Sequence, residues 1–135
     1  MALICGKGTN DRIIKVRLQH IDLKKAEEFM LGKAKDWCKE NGREWFAART
    51  LVPGIWDEAT DEPIYRIYEA RKNIYTRRFG KDKKEKIHKA AHGQAGRDVG
   101  KLLKKALKAD GRIFEMRRLE GKGRASVAEY RLKDK

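Results

Sequence analysis

His88 and His92 stand four residues apart, so on a helix their imidazoles share one face, a spacing that can grip a metal ion. Two imidazoles do not complete a site, and no Cys, Asp or Glu lies nearby at ligand spacing. Polar surface residues or phosphate contacts are the plainer expectation. Asp57, Glu58, Asp61 and Glu62 form the densest carboxylate group, of the kind a metal-dependent nuclease sets beside a basic surface. An exposed turn followed by acidic residues at a helix start accounts for them as well. GQAGRDVGKL approaches a phosphate-binding loop but fails the pattern: Ala95 replaces the first glycine, and Leu102 stands where Ser or Thr is required. Trp45 and Trp56, near Arg43 and Arg49, could stack unpaired bases, although tryptophans in so short a chain usually belong to the core. No catalytic residue, metal ligand or cofactor site is expected, and the chain is not expected to be an enzyme.

RDVGKLLKKALK, residues 97–108, offers a different chemistry. At roughly 100° per residue, Arg97, Lys101, Lys104, Lys105 and Lys108 fall within an arc of about 100°. Val99, Leu102, Leu103, Ala106 and Leu107 fall on the opposite side. Lysine-rich solvated faces are common, but they normally intersperse acids at i, i+4. This arc holds none; Asp98 lies to its side.

The charge of the whole chain points the same way. Its formal net charge is +14, yet residues 1–62 carry 11 Lys+Arg against 11 Asp+Glu. Residues 63–135 carry 23 against 9, so the entire excess lies in the second half. A field of one sign draws polyanions, of which nucleic acid is the commonest. Cys5 and Cys38 lack CxxC spacing and are expected to be free thiols in a reducing, cytoplasmic setting, with Cys38 packing as a small apolar residue. No apolar run is long enough to span a membrane, and the early charges of MALICGKGTNDR do not suit a signal peptide.

One α+β domain over residues 1–135, mostly helical with a C-terminal β-hairpin, must position these groups. Residues 12–21 alternate as a strand. Asp22 suits the N-cap of a helix reaching Asn41-Gly42, with Leu23, Ala26, Met30, Ala34 and Trp37 as its buried stripe, widened by Phe29 and Cys38. Residues 43–54 are ambiguous, with a short helix before Pro53 as one solution. A helix from Pro63 to about Thr76 follows, with Ile64, Ile67, Tyr68, Ile74 and Tyr75 as its buried stripe. Residues 77–86 read as a basic loop into a helix ending near His92. HGQAG, residues 92–96, reads as a break, and the cationic helix then ends at Asp110-Gly111. Residues 112–119 and 125–132 alternate as two strands joined by EGKGR. Pairing residue i with 246 minus i sets Arg117 against Glu129 and Glu115 against Arg131, whereas a slip sets like charges together.

This order of helix, glycine-containing turn, helix and basic hairpin over 82–132 resembles the winged helix-turn-helix family. The resemblance implies that 97–109 is a recognition helix in the major groove and 112–132 a wing that reaches phosphates or the minor groove. The family's further helix and small strand would come from 22–42 and 44–48, or from 63–76. Lys101, Lys104, Lys105 and Lys108, with Arg117, Arg118, Lys122 and Arg124 on the hairpin, are expected to meet phosphates. Gln94 and Arg97 are the side chains equipped to read base edges. The leading expectation is a regulatory protein that binds nucleic acid, duplex DNA before RNA, with strong backbone contacts and modest sequence preference. The alternative is an inhibitor or adaptor of phage or mobile-element type, docking its basic surface on an acidic protein partner.

Overall fold

Leu23–Asn41 forms the first long helix, α1, and buries Ala26, Met30, Ala34 and Cys38, one residue per turn. Gly42, at φ 65°, ends it in the left-handed conformation that its sequence requires. The structure is a computed structural model and describes residues 2–4, 23–54, 56, 58, 60–121 and 124–134. The strand expected over 12–21, the Asp22 cap, Cys5, Asp57 and Lys122 lie outside the described residues.

Three further helices follow among the described residues. Residues 43–54 resolve into a single-residue β-bridge at Phe46 and a short helix, α2 (Ala48–Leu51), before Pro53. The next helix, α3 (Glu62–Phe79), begins with Pro63 in its first turn and runs three residues past Thr76. Its end is fixed by Gly80 at φ 91°, where a side chain would be strained. The expected basic loop therefore shrinks to Gly80–Lys83, and α4 starts at Lys84.

The largest departure from expectation lies in α4, which runs unbroken from Lys84 to Ala109. HGQAG is not a turn; residues 92–96 are helical, and the stretch 97–109 is the second half of this helix. Glycine in a helix interior costs about 1 kcal/mol relative to alanine, which favours a break but does not compel one. Packing overrides that preference. Ile87, Ala91, Ala95, Val99, Leu102, Leu103, Ala106 and Leu107 form a continuous buried stripe through the glycine-rich stretch. Breaking the helix would expose half of it. The sequence-based helix-turn-helix over 82–109 is thus one straight element, and the helix pair of this fold is α3 and α4.

Among the described residues three antiparallel strands make the second layer, ordered β1 (Ala2–Ile4), β2 (Ile113–Gly121) and β3 (Arg124–Asp134). The hairpin register is the one expected: Phe114 opposes Leu132, Glu115 opposes Arg131, Met116 opposes Tyr130 and Arg117 opposes Glu129. Phe46 exchanges both backbone hydrogen bonds with Tyr130, at 2.8 and 2.7 Å, and tethers the loop after α1 to β3. Phe114, Tyr130 and Leu132 bury one sheet face against the helices, with Met30, Ile64, Ile67, Leu103 and Leu107 in the same core. The fold is α+β, mostly helical, with a C-terminal antiparallel hairpin.

Candidate nucleic-acid interface

The unbroken α4 changes the reach of the cationic face. Its 26 residues make a rod about 39 Å long. On the arc of Arg97, Lys101, Lys104 and Lys108, one full helix also carries Lys86, and Lys89 lies about 60° to one side of it. These six cations extend over about six turns. The two acids of the helix are elsewhere: Glu85 points away from the arc, and Asp98 is fully buried. Gly93, Gly96 and Gly100 lie along the edge of this face, and a Cβ on any of them would meet nothing within 4 Å.

The expected site residues on α4 separate into three groups. Lys101 and Lys104 make no ion pair among the described residues. Lys105 reaches across to Glu27 of α1 at 3.6 Å, so part of its charge is already answered, and Lys108 also has a local interaction. Gln94 and Arg97 are tied to each other: the Arg97 Nη1–H donates to Gln94 Oε1 at 3.0 Å, while Gln94 Nε2 lies 3.5 Å from Asp98 Oδ1. They sit in the middle of α4, not at a helix start, which favours contact with phosphates over reading of bases.

On the hairpin, Arg117 is half-buried and bound to Glu129, with Nη2–Oε1 at 2.7 Å. Its guanidinium lies 4.1 Å from the Trp45 ring centroid, and that of Arg131 at 4.6 Å. Trp45 is therefore covered by arginines and is not an open stacking surface. Arg131 is bound in turn to Glu115 at 3.3 Å. Arg118 is exposed and has a local interaction, and Arg124 lies at the start of β3.

Sequence reasoning missed the densest group. Residues 72–89, at the corner between α3 and α4, carry eight Lys/Arg, all exposed, against Asp82 and Glu85. Among the described residues none of the eight makes an ion pair. The available signal was Tyr75 and Phe79, spaced i, i+4 and followed by Gly80, which marks a helix running to Phe79 and then stopping sharply.

The other chemistry-bearing clusters have local partners. Glu58, Glu62 and Glu69 surround Arg66 at 3.7, 3.2 and 3.1 Å, and the bonds to Glu62 and Glu69 raise its pKa. His88 Nδ1 shares a 2.7 Å hydrogen bond with the Tyr68 hydroxyl, and His92 Nε2 one of 3.2 Å with the Gly54 carbonyl. Trp56 is a core residue whose indole N–H donates to Val52 O at 3.1 Å. No group of three metal-ligating side chains occurs among the described residues, and none of their helices is long and apolar enough to cross a membrane.

The chain matches no family model, no curated protein and no solved structure. Any functional reading must rest on the surface itself. Exposed cations without carboxylate partners attract polyanions over roughly a Debye length, about 8 Å at physiological salt, whereas paired ones cancel locally. Among the described residues, Lys86, Lys89, Lys101 and Lys104 of α4 and the cations of the α3–α4 corner have no carboxylate partner, whereas Arg117 and Arg131 of the hairpin are paired.

Proposed function

We propose that the protein is a non-enzymatic nucleic-acid-binding protein that holds duplex DNA along the outer face of α4, in a regulatory role. The observation that carries this reading is the stripe of five cations along about six helical turns, with no acid in its arc and Lys89 beside it. A major groove about 12 Å wide admits one α-helix, and lysines flanking it reach phosphates on both walls. The chemistry of the stripe favours phosphates, so binding is strong in the backbone contacts and weak in sequence preference. Order along the chain supports a winged-helix-like docking, with α3 and α4 as the helix pair and β2–β3 as the wing. The Phe46 bridge to β3 then takes the place of the small strand expected at 44–48. The free, buried thiol of Cys38 suits a reducing, cytoplasmic compartment.

The test is binding to a random-sequence duplex, the same single strand and a structured RNA, each across a salt series. About six neutralised phosphates give a slope of log affinity against log salt near −5 for the duplex. A flat salt response, or no duplex binding at low salt, would overturn the proposal and turn attention to an acidic protein partner.

A further inference from the structure

We infer that the α3–α4 corner is a second contact for nucleic acid, made for an unpaired strand that leaves the duplex held by α4. The inference rests on the nucleic-acid reading of α4 but concerns a different surface and a different form of the ligand.

Two independent features meet at the corner. The first is aromatic. Tyr75 and Phe79 stack with centroids 5.6 Å apart and planes 18° from parallel. Tyr75 packs against the core, whereas Phe79, half-buried at the last turn of α3, stands outside it. Phe79 touches a charge instead: Lys86 Nζ lies 4.4 Å from its ring centroid, and Arg78 lies 5.4 Å from that of Tyr75. A lysine over a half-buried aromatic ring at the surface is a weak, displaceable cover. A base that replaced Lys86 would stack on the Phe79 ring and release the ammonium to a phosphate.

The second feature is charge. Arg77, Lys81 and Lys83 are exposed around the turn and have no carboxylate partner among the described residues. Stacking rings set among free cations are the two components of sequence-tolerant single-strand binding. The wing has the same residue types without that capacity, because Glu115 and Glu129 engage its arginines and those arginines cover Trp45.

Geometry separates this contact from the duplex contact. Lys84, at the corner, is about 26 Å along the helix axis from Lys101. A rod of about 39 Å exceeds one turn of duplex, roughly 34 Å, so Arg77 to Lys83, before its first turn, lie beyond the groove that the α4 stripe follows. The corner is carried past the groove segment that Lys101 and Lys104 contact, where a flanking strand would leave it.

The experiment compares a blunt duplex of about 16 base pairs with the same duplex carrying a tail of about ten thymidines on either strand end, a 2-aminopurine replacing one tail base. Wild-type protein should bind the tailed duplex on the order of ten-fold more tightly, with a change in 2-aminopurine fluorescence as the base stacks. Phe79→Leu should abolish most of that gain and the fluorescence change, Phe79→Trp should keep both, and all three proteins should bind the blunt duplex equally. Equal affinity for blunt and tailed duplexes, or a gain that survives Phe79→Leu, would overturn the inference while leaving the α4 reading intact. If neither duplex binds, the α4 reading fails, and the labelled thymidine strand alone decides the corner: stacking that Phe79→Leu removes supports it, and its absence overturns it.

Discussion

Arg71 of α3 closes on Asp98 of α4 through two short hydrogen bonds, Nε to Oδ2 at 2.7 Å and Nη2 to Oδ1 at 2.8 Å. Asp98 is fully buried and the Arg71 side chain 13% exposed. The pair therefore clamps the two helices at the glycine-rich middle of α4. Removing one partner of a buried pair leaves an uncompensated charge, so Asp98→Ala should cost about 3–5 kcal/mol. Urea denaturation of the variant checks this. Replacing both residues together, Arg71→Met with Asp98→Leu, should recover most of the loss, because an apolar pair leaves no charge stranded.

Gly93, Gly96 and Gly100 lie in helical conformation with open space where a Cβ would stand. Each change to alanine should therefore stabilise the protein, by about 0.5–1 kcal/mol. A rise in Tm for all three single variants is the expected outcome. A fall would mean that α4 is not continuous at that position.

Lys89, Lys101 and Lys104 lie off the buried stripe, so their joint replacement by Glu should leave the circular dichroism spectrum and the unfolding midpoint nearly unchanged. Duplex affinity at low salt should fall by at least about 100-fold, and the salt slope should shrink by roughly 3. Retention of wild-type affinity would remove α4 from the interface.

Arg117 contrasts with these lysines because Glu129 already answers its charge. Arg117→Ala should reduce duplex affinity less than Lys101→Ala does. It should also loosen the hairpin by up to about 1 kcal/mol, the usual worth of a partly exposed pair. Equilibrium binding and denaturation of the two single variants separate the effects.

Burial pushes the Cys38 thiol above its ordinary pKa, and burial, aided by Tyr65, does the same to the Tyr68 hydroxyl. Both groups hold their protons more tightly in the folded chain, so the unfolded chain loses them first as pH rises and stability falls. The contribution is fully present below about pH 8.5, the unfolded thiol value, and is lost through the tyrosine range near 10. Denaturation midpoints measured from pH 7 to about pH 11 should decline over that window. In Cys38→Ala the part of the decline that begins near pH 8.5 should disappear.

Much of the architecture was legible locally. The alternation of 112–119 and 125–132, with acids and arginines placed to oppose each other, specified the hairpin register, because a one-residue slip inverts every side chain. The i, i+4 spacing of Ala26, Met30 and Ala34 gave α1, and Pro63 marked the start of α3. Segregation of the positive charge into the second half was also visible. The end of α3 was misjudged because Arg77 and Arg78 read as loop, although Phe79 and Gly80 carry the stop signal.

The sequence by itself therefore determined the hairpin, most helix boundaries and the supply of cations, since these follow from periodicity, turn residues and charge within a few neighbouring positions. Tertiary structure alone decided which cations are free and how far their surface extends. Glycine penalties of about 1 kcal/mol each argue locally for a turn at 92–96. They are outweighed by a buried apolar stripe and by Arg71, a residue 27 positions from the aspartate it holds. Pairing between Arg117 and Glu129 removes charge from the wing, while the turn at Gly80 gathers unpaired charge at the corner. These outcomes depend on which distant side chains meet in the fold, and that is set by packing across elements.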